Sequence, residues 1–211
     1  MGYLDKIMPL VTVTRATRAA SEVCRMTDPK VSELVYPLMQ NLDFWALDAD
    51  IAYGGIDQRH VYMLGRELLL KLGFKKPVLV FTPLGLSLNG KEKMSASKYE
   101  GRLEFHATPE EIYSKILSAY CPTGETEVNP ILEYVKYLIF PRFNKVLIER
   151  RGKYGGDIGF SNYNEFEKEY LAGNIHPLDL KNATAAYLIQ IFEPIRKYHE
   201  KHEDMFEVFK K

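Results

Sequence analysis

The stretch from Asp48 to Leu72, DADIAYGGIDQRHVYMLGRELLLKL, decides the fold of the first half of the chain. Ala49, Ile51 and Tyr53 alternate with other residues, which predicts a short strand that ends at Tyr53. The two glycines that follow predict a turn, and the apolar residues from Ile56 to Leu72 recur at helical spacing. We therefore predict the order strand, glycine turn, helix.

A second strand is predicted between Pro77 and Pro83, where Val78-Leu79-Val80-Phe81 forms a short apolar run. The helix between the two strands implies that they pair in parallel. Only two convincing strands precede the second half of the chain, which is fewer than a stable open parallel sheet normally has. The chain therefore looks as if the front half of an α/β domain were missing.

Most of the remaining sequence shows helical patterns. Helices are predicted at 5–26, from Thr27-Asp28-Pro29 through Leu42 with a kink at Pro37, and at about 109–119, 129–148, 163–171 and 179–203. We expect the second half of the chain to be all-helical.

Composition and length indicate an ordinary globular protein. The chain has 211 residues, of which 46% are apolar and 27% charged, and its 28 basic side chains balance 28 acidic ones. No apolar run is long enough to cross a membrane, and Met1 to Pro9 lacks the pattern of a secretory signal. We therefore expect a cytoplasmic protein without membrane partners. Cys24 and Cys121 lack metal-ligand spacing, so we expect two reduced, buried thiols and no metal site.

The net charge of zero argues against a generally basic nucleic-acid surface. One local exception runs from Arg142 to Lys153, where five basic residues accompany a single acidic one. Phe143 and Tyr154 lie within and beside this stretch, and basic residues with aromatic neighbours suit contact with RNA phosphates and bases. A solvated helix end is an equally good interpretation.

Tyr36, Gln40 and Asp43 fall within one stripe of a helix, because they are spaced at i, i+4 and i+7. Apolar residues border this stripe, so we expect it to be partly enclosed. A phenol, an amide and a carboxylate together could hold a small polar ligand. Short polar stripes are also common on exposed helix faces, and spacing alone favours that interpretation.

The segment from Gly54 to Gln58 follows a predicted parallel strand, and open α/β sheets bind ligands at this end of their strands. Glycine lets a ligand approach the backbone, Asp57 could accept from two ribose hydroxyls, and Gln58 would point into the same crevice. An aspartate that simply caps a helix is the alternative, and it is the better one for this segment taken alone.

The loop from Gly90 to Lys98 follows the second strand and contains three lysines and two serines. Such a loop could clamp a triphosphate, because ammonium groups neutralise the charge that develops on leaving pyrophosphate. A solvated charged loop is the alternative. The string Lys-Met-Ser-x-Ser arises by chance on the order of 10⁻³ times in a chain of this size, which makes it the sharpest signal in the sequence.

These motifs together resemble the back half of a class I aminoacyl-tRNA synthetase, in particular the tyrosyl-tRNA synthetases of the archaeal and eukaryotic type. The resemblance covers nearly all of the chain. It implies that the signature loop, with Lys93, Ser95, Ser97 and Lys98, is catalytic and stabilises the transition state of adenylate formation. It further implies an ATP site and a tyrosine pocket. The implied ATP-binding residues are Gly55, Asp57, Lys93 and Met94, and the implied tyrosine-binding residues are Tyr36, Gln40, Asp43 and Gln58. Within that pocket Asp43 would accept from the substrate phenol, while the other three would surround its ammonium group.

The second half matches the family's anticodon-binding segments at Lys153–Asp157 and Ile175–Asn182. The resemblance implies that Tyr154 stacks on the first anticodon base and that His176 and Asp179 help to read it. Aromatic stacking with a nearby acceptor for a guanine edge is sound chemistry for recognition of single-stranded RNA.

Two departures from the family pattern stand out. Ala96 replaces the lysine or serine that is common in the signature loop, and the alanine form also occurs in tryptophanyl-tRNA synthetases. The family's other signature, a histidine, glycine and histidine cluster at the first helix of the nucleotide fold, has no counterpart in this chain. A tryptophanyl enzyme therefore remains an alternative. A non-catalytic tRNA-binding module, one half of a split enzyme and a nucleotide-binding protein unrelated to translation also remain open.

The resemblance implies an α/β fold with a partial Rossmann-like parallel sheet at 1–105, followed by an all-helical anticodon-binding domain at 106–211. The implied activity is that of a tyrosine–tRNA ligase, carried by an incomplete fragment. ATP with Mg²⁺ would bind as a substrate complex, without a tightly bound cofactor. The implied partners are tyrosine, ATP and tRNA-Tyr, with either a second copy of the chain or a companion chain that supplies the missing part.

Overall fold

The computed structural model describes residues 3–24, 26–94, 101–202 and 204. The chain divides into two compact units, residues 1–84 and 85–211. The structural boundary thus lies about twenty residues before the division expected at 105/106, because Leu88 and Leu103 are buried in the core of the second unit. The assignment of the signature loop to a catalytic domain is a functional division and stays a prediction.

The first unit combines helices with a two-stranded parallel sheet. Short 3₁₀ turns occupy Met8–Leu10 and Ile56–Gln58. Its regular elements are α1 (Tyr3–Ile7), α2 (Val13–Ala20), α3 (Val31–Ala46), β1 (Ile51–Gly55), α4 (Arg59–Lys71) and β2 (Val78–Thr82).

The first predicted helix is divided in the structure. Pro9 lies in the 3₁₀ turn after α1, and the Thr12 hydroxyl accepts a hydrogen bond from the backbone amide of Arg15 and caps α2. The two helices therefore replace the single helix predicted at 5–26. Pro37, by contrast, lies inside α3 and does not end it.

The predicted parallel pairing of the two strands is confirmed. Ile51 lies opposite Val78, and Tyr53 lies opposite Val80. One face of the sheet packs on α4, where Ala52 contacts the cluster around Val61. The other face is open to solvent, and the exposed fractions of Ile51, Tyr53 and Val78 are 62%, 67% and 61%. This apolar face, with Ile51, Tyr53, Val78 and Val80, is referred to below as the open sheet face.

Helices α3 and α4 approach closely because a glycine faces a buried amide. The Asn41 Nδ2 donates hydrogen bonds to the backbone carbonyls of Pro37 and Val61, at 2.9 and 3.0 Å. A Cβ atom at Gly65 would lie 2.1 Å from the Asn41 Oδ1. The packing of these two helices therefore requires glycine at this position.

The second unit is mainly helical. Its elements are α5 (Pro109–Ser118), α6 (Pro130–Tyr134), β3 (Val146–Ile148), β4 (Ile158–Phe160), α7 (Tyr163–Leu171) and α8 (Pro177–Lys201). A π-helical turn, Val135–Ile139, continues α6. Buried residues of these elements, among them Ile112, Ile131 and Leu188, form one core.

A β-hairpin corrects the expectation that the second half is all-helical. β3 and β4 pair antiparallel, with Leu147 opposite Gly159. The helix predicted at 129–148 ends in the structure at Ile139, just before Pro141, which cannot donate a backbone hydrogen bond. Val146, Leu147 and Ile148 are then buried, exposed and buried, which is the alternation of a strand. The pattern is only three residues long, and the neighbouring helical pattern concealed it.

The described residues include no helix long and apolar enough to span a membrane, and no group of three potential metal-ligating side chains. Cys24 and Cys121 are free thiols. Both are partly exposed, in contrast to the full burial that we expected, because Cys24 lies beyond the end of α2 and Cys121 lies in the loop after α5.

Candidate functional site

Two segments predicted to bind substrate are joined by a hydrogen bond in the first unit. The Gln40 Nε2 on α3 donates to the Gln58 Oε1, at 3.0 Å. Gln58 lies where β1 gives way to α4, so this contact brings the helix stripe to the carboxyl end of the strand. The structure thus places the Tyr36–Asp43 stripe beside the Gly54–Gln58 segment, as a single site would require.

The two glycines of this segment end β1 instead of forming a turn. A Cβ atom at Gly55 would lie 2.6 Å from the Asp57 Oδ1 and 2.9 Å from the Leu84 Cδ2. The Asp57 carboxylate therefore folds back over the strand end, into space that only glycine leaves free. Asp57 and Gly55 lie together at the edge where the sequence predicts an ATP ribose.

Tyr62 is a residue of this region that the sequence analysis missed. Its hydroxyl donates to the backbone carbonyl of Tyr53, at 3.3 Å, and a Cβ atom at Gly54 would lie 2.7 Å from the same hydroxyl. Burial raises the pKa of the Tyr62 phenol above its ordinary value. A hydrogen bond with Gln40 lowers this pKa, whereas the charge of Asp57 raises it further. The i, i+4 spacing between Gln58 and Tyr62 was the signal available in the sequence.

Asp43 and Tyr36 are more exposed than expected. The exposed fraction of Tyr36 is 47%, and Asp43 is also exposed. The expectation of a partly enclosed stripe therefore applies to Gln40, which is half-buried, and not to the two ends of the stripe. A carboxylate open to water discriminates weakly between ligands, so a specific role for Asp43 requires further cover.

The second unit holds the base of the signature loop. Leu86 and Lys93 form an antiparallel bridge, and the backbone amide of Met94 donates to the Gly85 carbonyl at 2.8 Å. Lys93 is exposed. Ser95, Ser97 and Lys98, which were predicted to be catalytic, lie outside the described residues, as does Ala96.

Glu133 holds this loop base on the helical unit. Its carboxylate accepts from the backbone amide of Leu86 at 2.6 Å. Burial raises the pKa of Glu133 above its ordinary value, while the Leu86 amide and the charge of Lys136 oppose the rise. A partly buried carboxylate with one charge-assisted hydrogen bond thus fixes where the loop leaves the unit.

A cavity of about 820 Å³ opens between the β-hairpin and the start of α8. His176 and Asp179, which were predicted to read the anticodon, both line it. The His176 Nδ1 accepts from the backbone amide of Leu178 at 3.1 Å, which caps α8 and leaves the Nε2–H free to donate to a ligand. The backbone of Tyr154 lies in a 3₁₀ turn of the hairpin loop, and its side chain lies outside what the structure describes.

Arg150 and Arg151 line the same cavity but differ in their surroundings. Arg151 is exposed. The Arg150 guanidinium donates from Nε to the Gly156 carbonyl, at 2.8 Å, and from one terminal nitrogen to the Asn174 carbonyl, at 2.7 Å. The sequence analysis included both only as members of a basic stretch.

A parallel strand pair in the first unit and a mainly helical second unit are both expected of a class I synthetase. The model of the family "tRNA synthetases class I (W and Y)" matches residues 1–193. The chain therefore belongs to the family of class I tRNA synthetases for tryptophan and tyrosine.

Individual relatives favour the tyrosine branch. The chain is 49% identical to the tyrosine–tRNA ligase of Methanosarcina barkeri over 193 residues, which are 91% of this chain and 60% of that protein. The tyrosyl-tRNA synthetase of Archaeoglobus fulgidus, solved in complex with L-tyrosine, superposes with a TM-score of 0.83 at 46% identity, over 92% of this chain and 60% of that one. That of Pyrococcus horikoshii, also with L-tyrosine, gives a TM-score of 0.88 at 34% identity, over 98% and 64%. The chain thus spans about three fifths of the length of the relatives that it matches.

Proposed function

We propose that this chain carries the back half of the tyrosyl-adenylate site and the anticodon-binding region of a tyrosine–tRNA ligase. The observation that supports the proposal most is the hydrogen bond between Gln40 and Gln58, which joins two motif segments at the carboxyl end of β1. The similarity to archaeal tyrosine–tRNA ligases supports tyrosine over tryptophan as the amino acid.

The proposed reaction has two steps. The tyrosine carboxylate attacks the α-phosphate of ATP in line and releases pyrophosphate, and the tyrosyl-adenylate then acylates the terminal ribose of tRNA-Tyr. The chain forms no covalent bond with the substrate, so positioning and charge stabilisation account for the rate. Lys93 and Lys98 would neutralise the leaving pyrophosphate, and Ser95 and Ser97 would bind its oxygens. Mg²⁺ would arrive with ATP, because it keeps several waters and binds largely through the phosphates.

Specificity for tyrosine would rest on the stripe of α3. Asp43 would accept from the substrate hydroxyl, while Tyr36, Gln40 and Gln58 would surround the ammonium group. Phenylalanine would then leave a carboxylate without its partner, which costs far more than the loss of one apolar contact. Because Asp43 is exposed in this chain, the proposal requires that another polypeptide segment covers it.

The open sheet face is a candidate contact for that segment. Its apolar side chains would be covered by a companion chain with the missing part of the catalytic domain, or by a second copy of this chain. Because the proposed reaction supplies translation with tyrosyl-tRNA, we expect the activity in the cytoplasm.

Tyrosine-dependent exchange of pyrophosphate into ATP tests the catalytic proposal. We expect no exchange with the 211-residue chain alone and clear exchange when the front part of an archaeal tyrosine–tRNA ligase is supplied. Tryptophan in place of tyrosine should give none. Exchange by the chain alone would contradict the idea that the missing signature is needed, and failure of the mixture would contradict the catalytic proposal.

A second candidate function is a tRNA-binding module without catalysis. The cavity lined by His176 and Asp179 favours it, because that cavity lies within the second unit alone. Filter binding at two salt concentrations, with tRNA-Tyr and with a variant altered at the first anticodon base, provides the test. Contacts to phosphate weaken with salt and ignore the anticodon, so equal binding of both RNAs would contradict anticodon recognition.

A further inference from the structure

We propose that Arg150 is a positioning residue that sets the relative placement of the two anticodon-binding segments, the hairpin loop at 153–157 and the start of α8 at 175–182. The inference rests on the proposed function of the second unit, and it assigns Arg150 a role in specificity that does not require contact with RNA.

The guanidinium of Arg150 joins the hairpin loop to Asn174, the residue that directly precedes the second segment. One of its hydrogen bonds ends on the Gly156 carbonyl in the hairpin loop, and the other ends on the Asn174 carbonyl, two residues before His176. Both distances are short, at 2.8 and 2.7 Å, and both bonds have a charged donor, which makes them stronger than neutral hydrogen bonds.

The hairpin loop is shaped to present this carbonyl. Gly155 and Gly156 both have positive φ angles, +93° and +72°, which glycine adopts without strain. The backbone amide of Arg150 donates to the Asp157 Oδ1 at 3.0 Å, so the loop closes on Arg150 through its main chain as well as its side chain. Arg150 therefore holds the far end of the loop that carries Tyr154 through two hydrogen bonds.

The second segment is held from the other side. The Asn174 side chain donates to the Glu169 Oε2 at 2.7 Å, and the Asn174 amide donates to the Glu169 carbonyl at 3.0 Å, which ties it to α7. Ile175 is fully buried, and His176 follows as the cap of α8. Loss of the Arg150 bond would thus release the hairpin loop relative to a fixed α7–α8 junction.

Arg151 provides a matched control, because it is the next residue, carries the same charge and lines the same cavity. It is exposed, whereas Arg150 is half-buried with its donors directed at main-chain carbonyls. A positioning residue and a phosphate-binding residue differ in two measurable ways. Substitution of a positioning residue changes the discrimination between anticodons. Substitution of a phosphate-binding residue weakens the binding of all RNAs alike and lowers the salt dependence of that binding.

The test measures binding of tRNA-Tyr, and of its variant altered at the first anticodon base, to wild type, Arg150→Gln, Arg150→Lys and Arg151→Gln. We expect the ratio of the affinities for the two RNAs to fall about tenfold in both Arg150 variants, because a charge-assisted hydrogen bond is lost. The slope of affinity against salt concentration should not change. Arg151→Gln should keep the discrimination. Discrimination retained in Arg150→Lys, or equal weakening of both RNAs with a smaller slope in Arg150→Gln, would overturn the proposal.

Amide hydrogen exchange of the free protein gives an independent readout. We expect faster exchange at 153–157 in both Arg150 variants and wild-type exchange in Arg151→Gln. Unchanged exchange in the Arg150 variants would also overturn the inference. A wild-type chain that does not discriminate between the RNAs would instead contradict the proposed anticodon recognition, so the two failures are distinguishable.

Discussion

At the scale of single residues, close contacts around small side chains explain much of the local structure. Gly65 accommodates the buried amide of Asn41, and Gly55 accommodates the carboxylate of Asp57. Both glycines have ordinary backbone angles, so they are required by packing and not by conformation.

Gly65→Ala should destabilise the first unit. A Cβ atom 2.1 Å from the Asn41 Oδ1 forces α3 and α4 apart. Overpacking of this kind costs about 1–3 kcal/mol, which outweighs the better helix propensity of alanine. Urea denaturation followed by the fluorescence of Trp45, the single tryptophan, measures the loss in this unit.

The control for this prediction is the same substitution in an Asn41→Ala background. Without the amide, the added methyl group fills space and should cost little or nothing. An equal cost in both backgrounds would show that the clash with Asn41 is not the cause.

Glu133 should make the stability of the second unit depend on pH. Since its pKa is raised in the folded state, ionised Glu133 opposes folding, and this cost disappears as the pH falls through the folded pKa towards the ordinary value. We therefore expect Glu133→Gln to gain stability over wild type near neutral pH, and the gain to shrink in acid. Urea denaturation from about pH 4 to about pH 8 measures this difference.

Glu193→Gln provides a control of opposite sign. A hydrogen bond with Lys197 lowers the pKa of Glu193, so its contribution is present above the ordinary pKa and is lost as the pH falls. The Glu193 variant should therefore lose stability relative to wild type at neutral pH and match it in acid. If the stability differences of the two variants from wild type change with pH in the same direction, the raised pKa of Glu133 and the lowered pKa of Glu193 are both contradicted.

At the scale of elements, the β-hairpin of the second unit depends on its turn. Gly156 has a φ angle of +72°, and an added Cβ atom there would meet nothing within 4 Å. Any cost of a substitution at this position is therefore backbone strain.

Gly156→Ala should reduce the stability of the hairpin by about 1–2 kcal/mol, the cost of a left-handed conformation for an L-residue. Gly152→Ala serves as the control, since Gly152 also has open space around it and is not among the glycines with positive φ. Thermal denaturation of both variants measures the difference. Similar melting temperatures for the two would show that the turn tolerates another conformation.

At the scale of the whole molecule, the open sheet face should cause self-association. A parallel pair of strands with one uncovered apolar face favours contact with a second surface. We expect light scattering to show dimers or larger species for the isolated chain. Ile51→Lys should reduce the association, because it places a charge in the middle of this face.

Val31→Lys is the matched control for this prediction. Val31 has an exposed fraction of 76% but belongs to the start of α3 and not to either strand. If both variants associate like wild type, or if wild type is a monodisperse monomer, the open sheet face is not a contact surface under those conditions.

The parallel strands, the helix between them and most helices of the second half were predictable, because each follows from a local pattern of apolar residues. The hairpin was not, since strands of three residues leave too short a pattern beside a helical one. Local spacing and resemblance also selected the motif residues of the two segments predicted to bind substrate, and their roles stay predictions. Tyr62, buried between them, was missed because its contacts to Tyr53 and Gly54 cross from helix to strand.

The amino-acid sequence alone determined the α/β character of the first half, its two parallel strands and the family to which the chain is similar, since these depend on periodicity and on short motifs. Only the tertiary structure decided that Gln40 meets Gln58, that Asp43 is exposed and that Arg150 bridges two segments of the second unit. These features depend on which side chains meet across long separations in sequence, and the packing of the folded chain sets those distances.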